Sequence, residues 1–82
     1  MIKTTLKIDG MMCGMCESHV NDELRRRIPV AKKVKSSHRT GECTFITEEK
    51  VDENIIKEAL SAIGYEVTAI SYEPYKKRGI FG

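Results

Sequence analysis

The chain has 82 residues, of which 40% are apolar and 32% charged, and its formal net charge is only +2. This length suits one domain, and the chain is too apolar for a disordered segment. The small net charge predicts no nucleic-acid partner, and charges interrupt every apolar run, so we expect no membrane insertion. The start, MIKTTLKIDG, contains no apolar stretch of signal-peptide length. We therefore expect a cytoplasmic protein.

The first half of the chain predicts a strand, a helix and a second strand. Positions 2–9 alternate apolar with polar residues, which is typical of a strand with one buried face. Across positions 16–28 apolar residues recur every fourth position, as in an amphipathic helix, and Pro29 ends it. The segment 30–39 predicts a weak strand, mainly because a hairpin turn at 40–42 follows it.

The second half predicts a strand, a helix and a final strand. In the strand after the hairpin turn, Cys43 and Phe45 share the inward face. The second helix begins after Asp52 as N-cap and ends at Gly64. Its predicted buried stripe is Ile55, Ile56, Ala59, Leu60 and Ile63. One face of the last strand is predicted to hold Tyr65, Val67, Ala69 and Ser71.

This order of elements predicts the α+β class: a ferredoxin-like βαββαβ sandwich. Its four-stranded antiparallel sheet has both helices on one face. Residues 1–73 form the expected domain, and residues 74–82 form a basic tail that we expect to be flexible. Ferredoxin-like folds serve enzymes, RNA-binding proteins, regulators and metal carriers. The function therefore has to be inferred from particular residues.

Two of the three cysteines and three of the four methionines lie within the segment GMMCGMC, from Gly10 to Cys16. Cys13 and Cys16 have CxxC spacing at the junction of the first strand and first helix. The positive end of that helix stabilises an anion, so we expect a lowered pKa for Cys16. Two thiolates on one loop suit a soft ion such as Cu(I), and also zinc and its heavier relatives.

The number of ligands narrows the choice of ion. A structural zinc site uses four protein ligands, whereas this chain offers one pair, with Cys43 distant and expected to be buried. Two thiolates suit Cu(I) or Hg(II) and leave the site open for ligand exchange, as a carrier requires. A dithiol-disulfide oxidoreductase and a pair of incidental thiols are the alternatives. Since no base, nucleophile and orienting group are recognisable together, we expect no enzyme.

The segment GMMCGMC followed by ESHVNDEL resembles the GMxCxxC signature of heavy-metal-associated domains. That family includes small bacterial copper chaperones and the amino-terminal domains of copper-transporting P-type ATPases. The resemblance covers positions 2–72 and includes IGYEV before the last strand. It implies that Cys13 and Cys16 bind the metal, most simply Cu(I), and that the partner is a metal-transporting P-type ATPase or a similar domain. We expect a monomer without metal, and a second molecule completing the open site would give a metal-bridged dimer.

The same resemblance assigns roles to three further residues. It places Met11 in the core beneath the site and Tyr65 in a loop facing the metal. Members that prefer zinc, cadmium or lead often carry an acidic residue where this chain has Met12, which favours copper. Periplasmic mercury-binding relatives share the motif but need an export signal. The chain departs from the family pattern at Pro29-Val30, which predicts a different turn into the second strand.

Three side chains near the cysteines have less certain roles. Met12 and Met15 are interpreted as flexible apolar cover, with thioether coordination as the alternative. His19 lies three residues after Cys16 and so shares its helix face. It is a candidate extra ligand, although an ordinary solvated histidine is the favoured interpretation. His38 is given no role.

The arginines at positions 25–27 lie in the predicted last turn of the first helix. Cations there complement the helix dipole, which is a sufficient explanation for them. The functional alternative is a docking surface, in which Lys7, Arg25 and Arg26 steer the chain toward an acidic partner.

Overall fold

The computed structural model describes residues 1–75, and its elements follow the predicted order. They are β1 (Ile2–Asp9), α1 (Gly14–Arg27), β2 (Lys32–Ser37), β3 (Glu42–Thr47), α2 (Glu53–Ser61) and β4 (Glu66–Pro74). The strands form one antiparallel sheet in the order β2-β3-β1-β4, and the two helices pack against each other and on the sheet. The predicted ferredoxin-like sandwich is confirmed. Residues 76–82, most of the predicted basic tail, lie outside the described residues, and the domain boundary after residue 73 stays a prediction.

Strand β1 occupies a central position between β3 and β4, so its end emerges in the middle of the sheet. Its alternation is as predicted: Thr4, Leu6 and Ile8 are buried, whereas Lys7 is exposed. The residues of the core cluster come from all the elements except β4, which packs against its edge. They are Leu6, Ile8, Met11, Val20, Leu24, Ile28, Val34, Cys43, Phe45, Ile56 and Leu60.

Helix α1 begins earlier than the apolar periodicity indicates. The pattern predicts a start at Cys16, but the helix starts at Gly14 with Cys13 as its N-cap. Gly14 and the residue after it add nothing to the buried stripe, because that stripe begins at Val20. The spacing of apolar residues therefore does not indicate where the helix starts. The difference matters because it places both cysteines within the first turn.

Strand β2 contributes little to the core, as its composition predicts. Val34 is its buried residue, and its pairing with β3 shifts between Lys32 and Lys35. At this bulge Lys33 has a φ of 52°, a left-handed conformation that is uncommon for residues other than glycine. The Lys33 ammonium donates a hydrogen bond of 3.1 Å to the Tyr75 hydroxyl.

The predicted alternation of β4 is wrong after Val67. Ala69 and Ser71 were predicted to share a face with Val67, but both are exposed, and the partly buried residues that follow Val67 are Ile70 and Tyr72. The reason is a bulge in the pairing with β1, which leaves Thr68 without a partner in that strand. One extra residue reverses the side-chain parity, and a bulge is not visible in a period-two pattern.

Helix α2 starts after Asp52 as predicted, but it ends at Ser61, and the predicted Gly64 lies in the turn that follows. The Asp52 carboxylate accepts a hydrogen bond of 2.9 Å from the Asn54 backbone N–H, and Gly64 has a φ of 90°. Ile55, however, was predicted to be buried and is 45% exposed, because Ile56 takes the inward position and consecutive helical residues point about 100° apart. Within residues 1–75, neither helix has the length and apolar character that crossing a membrane requires.

The Asp52 cap leads to a stability prediction. Asp52→Ala leaves an N–H of α2 without its side-chain partner, so the free energy of unfolding should fall by about 1 kcal/mol in urea denaturation. Asp52→Asn keeps a side-chain acceptor and should stay near the wild-type value. Equal losses in the two variants would contradict a role for this hydrogen bond.

Candidate metal centre

The loop between β1 and α1 is fixed by one buried side chain. Gly10 turns the backbone with a φ of 97°, a conformation that glycine adopts without a Cβ clash. The Met11 side chain then enters the core and is only 4% exposed. The chain returns to the surface at Met12, which is 81% exposed, and reaches Cys13 directly afterwards. The buried methionine thus holds the loop while the cysteine that follows remains accessible.

The two predicted ligands lie side by side. Cys13 is the exposed N-cap of α1, Cys16 lies in the first turn, and their Sγ atoms are 3.3 Å apart. Cys16 is half-buried and packs against the core cluster. The first backbone hydrogen bond of α1 runs from the Glu17 N–H to the Cys13 carbonyl (3.2 Å), so the N–H groups before Glu17 have no partner within the helix. The thiols therefore lie at the positive end of the helix dipole.

Tyr65 closes one side of this loop. It follows α2, and its backbone N–H donates to the Leu60 carbonyl at 2.9 Å. Its ring covers Gly10: a Cβ at that position would lie 3.4 Å from the Tyr65 Cδ1 atom. The positive φ is the reason for a glycine at position 10. A Cβ there would lie at ordinary van der Waals distance from the tyrosine ring. The Tyr65 hydroxyl acts on Cys16 through hydrogen bonding.

Hydrogen bonding lowers the pKa of the Cys16 thiol below that of an ordinary cysteine. Its pKa is lowered from 9.0 to about 7, chiefly by the Tyr65 hydroxyl and then by the Met12 backbone and the Cys13 thiol. Partial burial acts in the opposite direction but is the weaker effect. The same contact raises the pKa of Tyr65, because its hydroxyl donates to the thiolate. At neutral pH the Cys16 thiol therefore ionises more readily than an ordinary cysteine.

The remaining sequence-predicted residues lie apart from the sulfur pair or point to water. Met15 is 70% exposed in the first turn of α1. His19 is exposed and lines a shallow cleft with Glu23, Arg26 and Ile63. In the described part of the chain, no three His, Cys, Asp or Glu side chains converge to hold an ion, so His19 does not join the thiols here.

Cys43 takes no part in the site. It faces the core on β3 beside Phe45, as predicted, and both side chains are 0% exposed. Burial raises its pKa to about 11, although the Ser36 side chain opposes this slightly by hydrogen bonding. The third cysteine therefore remains a protonated core thiol.

One contact beside the site was not anticipated from the sequence. Glu17, directly after Cys16, accepts a hydrogen bond of 2.7 Å from the His38 backbone N–H, and its Oε2 lies 2.6 Å from His38 Nδ1. These contacts lower the pKa of Glu17. The turn reaches this position because the Ile8 N–H donates to the Gly41 carbonyl at 2.7 Å. Twenty-one positions separate the partners, so only the position of the β2–β3 turn at this end of the sheet reveals the contact.

The basic side chains considered for docking are largely matched by acids on the same surface. Arg25 lies 3.5 Å from Asp22, and Arg26 contacts the Glu23 carboxylate at 2.8 Å. Lys7 lies 3.4 Å from Glu42. Such pairs offset one another in the field that a partner experiences, so these side chains give little support to a cationic docking surface.

No protein-family model matches the sequence. Several solved structures of similar fold are metal-binding proteins. The CopZ metallochaperone is 27% identical, with 80% of this chain and 98% of that chain covered and a TM-score of 0.71. A copper binding domain from HMA7, a P-type ATPase, is 23% identical (85% and 97% covered, TM-score 0.71). The N-terminal domain of ZntA in the Zn(II)-form is 20% identical (80% and 88% covered, TM-score 0.70). The resemblance predicted from the GMMCGMC segment is therefore confirmed: the chain has the heavy-metal-associated fold of metallochaperones and of the metal-binding domains of P-type ATPases.

Proposed function

We propose that this protein is a cytoplasmic carrier of Cu(I), which it binds between the thiolates of Cys13 and Cys16. It exchanges the ion with a partner domain, such as the metal-binding domain of a P-type ATPase. The observation that carries this proposal is the pair of sulfurs 3.3 Å apart at the start of α1, one of them readily ionised. The similarity to the CopZ metallochaperone and to the HMA7 copper binding domain supports a carrier over an enzyme.

The two cysteines have different parts in capture. Cys16 is held by the core and by Tyr65, so its thiolate meets the ion first. A metal–sulfur bond is about 2.3 Å long for zinc, so two sulfurs around one ion generally lie farther apart than 3.3 Å. Cys13 is exposed and therefore free to rotate away from Cys16. Its thiol loses a proton as it binds, which makes capture dependent on pH.

Release is the same exchange in reverse. A thiolate of the partner approaches the ion from the solvent side, where Cys13 lies. The bond from the ion to Cys13 breaks as the bond to the partner forms, while Cys16 keeps hold until a second partner thiolate arrives. No electron is transferred and the charge of the ion does not change. An open two-thiolate site suits this sequence because no further protein ligand has to be displaced.

The donor set, more than the fold, favours copper. A similar domain, that of ZntA, is in its Zn(II)-form, so the fold alone does not choose the metal. A closed zinc site uses four ligands, whereas two soft thiolates suffice for Cu(I), an ion of low coordination number. Met12 provides no carboxylate at the position before Cys13. Hg(II), Zn(II) and Cd(II) are the alternative ions for the same two thiolates.

A dithiol-disulfide oxidoreductase is the second candidate, and one observation favours it. A thiol with a pKa of about 7 beside another thiol at 3.3 Å is also the arrangement of a redox pair. In that reaction the Cys16 thiolate attacks a substrate disulfide, and Cys13 then displaces the reduced substrate. The pair would end as a disulfide, having given up two electrons and two protons. Carrier and reductase are therefore distinguished by turnover.

Metal binding is the first prediction. Anaerobic titration of the reduced protein against a chromophoric chelator should show one Cu(I) per chain, held far more tightly than Zn(II) or Cd(II). Cys13→Ser combined with Cys16→Ser should abolish this binding, because both thiolates are lost. A parallel titration with Hg(II) measures the affinity for the main alternative ion.

Cys43→Ala is the matched control, since it removes a cysteine that is 0% exposed and should leave the Cu(I) affinity unchanged. Failure of the wild-type protein to compete with the chelator would overturn the proposal, as would Cu(I) binding that survives the double substitution.

The redox alternative makes an opposite prediction. With a thiol reductant as electron source, the protein should not accelerate insulin reduction above the rate of the Cys13→Ser, Cys16→Ser variant. Catalytic turnover that depends on both cysteines would favour the oxidoreductase and count against the carrier.

The contact between Tyr65 and Cys16 predicts a shift in acidity. In a Cys13→Ser background, whose serine hydroxyl replaces the Cys13 thiol as a donor, alkylation of Cys16 should follow ionisation with a midpoint below the ordinary value of 9.0. Tyr65→Phe removes the largest cause of the lowered pKa, so the midpoint should move upward, toward the ordinary value of 9.0. Tyr72→Phe is the matched control, because the Tyr72 hydroxyl donates to the Val51 carbonyl (2.8 Å). An unchanged midpoint in Tyr65→Phe would rule out this role.

A further inference from the structure

Each cysteine of the site is directly preceded by a methionine that the fold leaves in water. Met12 precedes Cys13 and Met15 precedes Cys16, and these two methionines are 81% and 70% exposed. Met11, from the same segment, is instead buried in the core at 4% exposure. One methionine of the segment therefore supports the loop from the core, and the other two are exposed, each directly before one of the thiols.

Apolar cover does not account for the two exposed methionines. With 81% of its surface in water, Met12 removes little apolar area from solvent, and Met15 does little more. Neither belongs to the core cluster or to the residues that pack against it. A single exposed apolar residue needs no explanation, but two at the same position relative to the two ligands suggest a common use.

The chemistry of a thioether indicates that use. Its sulfur is a soft, neutral donor that binds Cu(I) without losing a proton, and it offers little to Zn(II), which uses thiolate, imidazole and carboxylate ligands. Consecutive Cα atoms lie about 3.8 Å apart, and the methionine side chain has three rotatable bonds. Consecutive side chains of a helix point about 100° apart, so the Met15 thioether has to turn toward the thiols, which its rotatable bonds permit when the side chain is not already packed. The exposure of both side chains meets that condition.

We propose that Met12 and Met15 are additional donors to the ion, specific for soft monovalent cations. Their sulfurs approach the open side of the ion held by Cys13 and Cys16, so that Cu(I) gains ligands that Zn(II) does not use. The thioether lone pair adds to the ion, no proton is released, and the oxidation state stays the same. This inference rests on the proposed Cu(I) site and adds the residues that set its selectivity.

The test uses Ag(I) as a soft monovalent probe without redox chemistry. In the full chain labelled with ¹³C at the methionine methyl groups, one equivalent of Ag(I) should shift the methyl resonances of Met12 and Met15. Met1 is the internal control, because it is 41% exposed and lies before β1, at the end opposite to the loop. Its resonance should not move.

Affinity gives an independent measurement. Met12→Leu combined with Met15→Leu keeps size and apolarity but removes both donors, and should weaken Ag(I) and Cu(I) binding about tenfold, the lower end for residues that assist metal ligands. Zn(II) affinity should be unchanged, and Met1→Leu should behave as wild type. Leucine at two exposed positions leaves the core intact, and circular dichroism verifies the fold.

The outcomes separate this inference from the proposed function. Methyl resonances of Met12 and Met15 that stay in place, or a double variant that binds Ag(I) as tightly as wild type, would overturn the thioether role while leaving the cysteine site intact. A wild-type protein without Cu(I) or Ag(I) affinity would instead refute the carrier itself.

Discussion

The geometry of the metal loop depends on the burial of Met11. This side chain ties the segment between β1 and α1 to the same core that holds both elements, and it does so two residues before Cys13. Without this anchor, the loop would be held only where it joins β1 and α1, and the positions of the two sulfurs would be less fixed. Burial of an apolar side chain of this size contributes about 1.5–3 kcal/mol. That energy anchors a loop whose other side chains are left to solvent.

Around this anchor, the loop and the residue after α2 build an environment that favours an anion. The helix N-terminus contributes unpaired N–H groups, and Tyr65, whose ring packs against Gly10, contributes a hydroxyl. The ordering of Cys16 contrasts with the freedom of Cys13. In the proposed ligand exchange, Cys16 is the thiolate that keeps the ion and Cys13 is the one that releases it first.

Local patterns predicted the order of the elements and the proximity of Cys13 and Cys16, because both depend on residues close together in sequence. Alternation in β1 and a spacing of three across a helix start are such patterns. The errors arose where a distant partner decides the outcome. Thr68 reverses the parity of β4 only because β1 has no residue opposite it, and His38 meets Glu17 only because a hairpin turn returns to this end of the sheet. The early start of α1 at Gly14 was missed because its first turn faces the loop and not the core.

The sequestration of Cys43 has a consequence for the behaviour of the chain under oxidising conditions. Disulfide exchange begins with a thiolate, and a core thiol with a pKa of about 11 supplies almost none and is out of reach of an attacking group. A third reactive cysteine would allow three different internal pairings, two of which would trap a metal ligand in a misfolded chain. With Cys43 withdrawn, the folded domain has one internal disulfide open to it, between Cys13 and Cys16, and thiol exchange reverses such a bond. The odd cysteine therefore leaves the domain with a repairable form of damage.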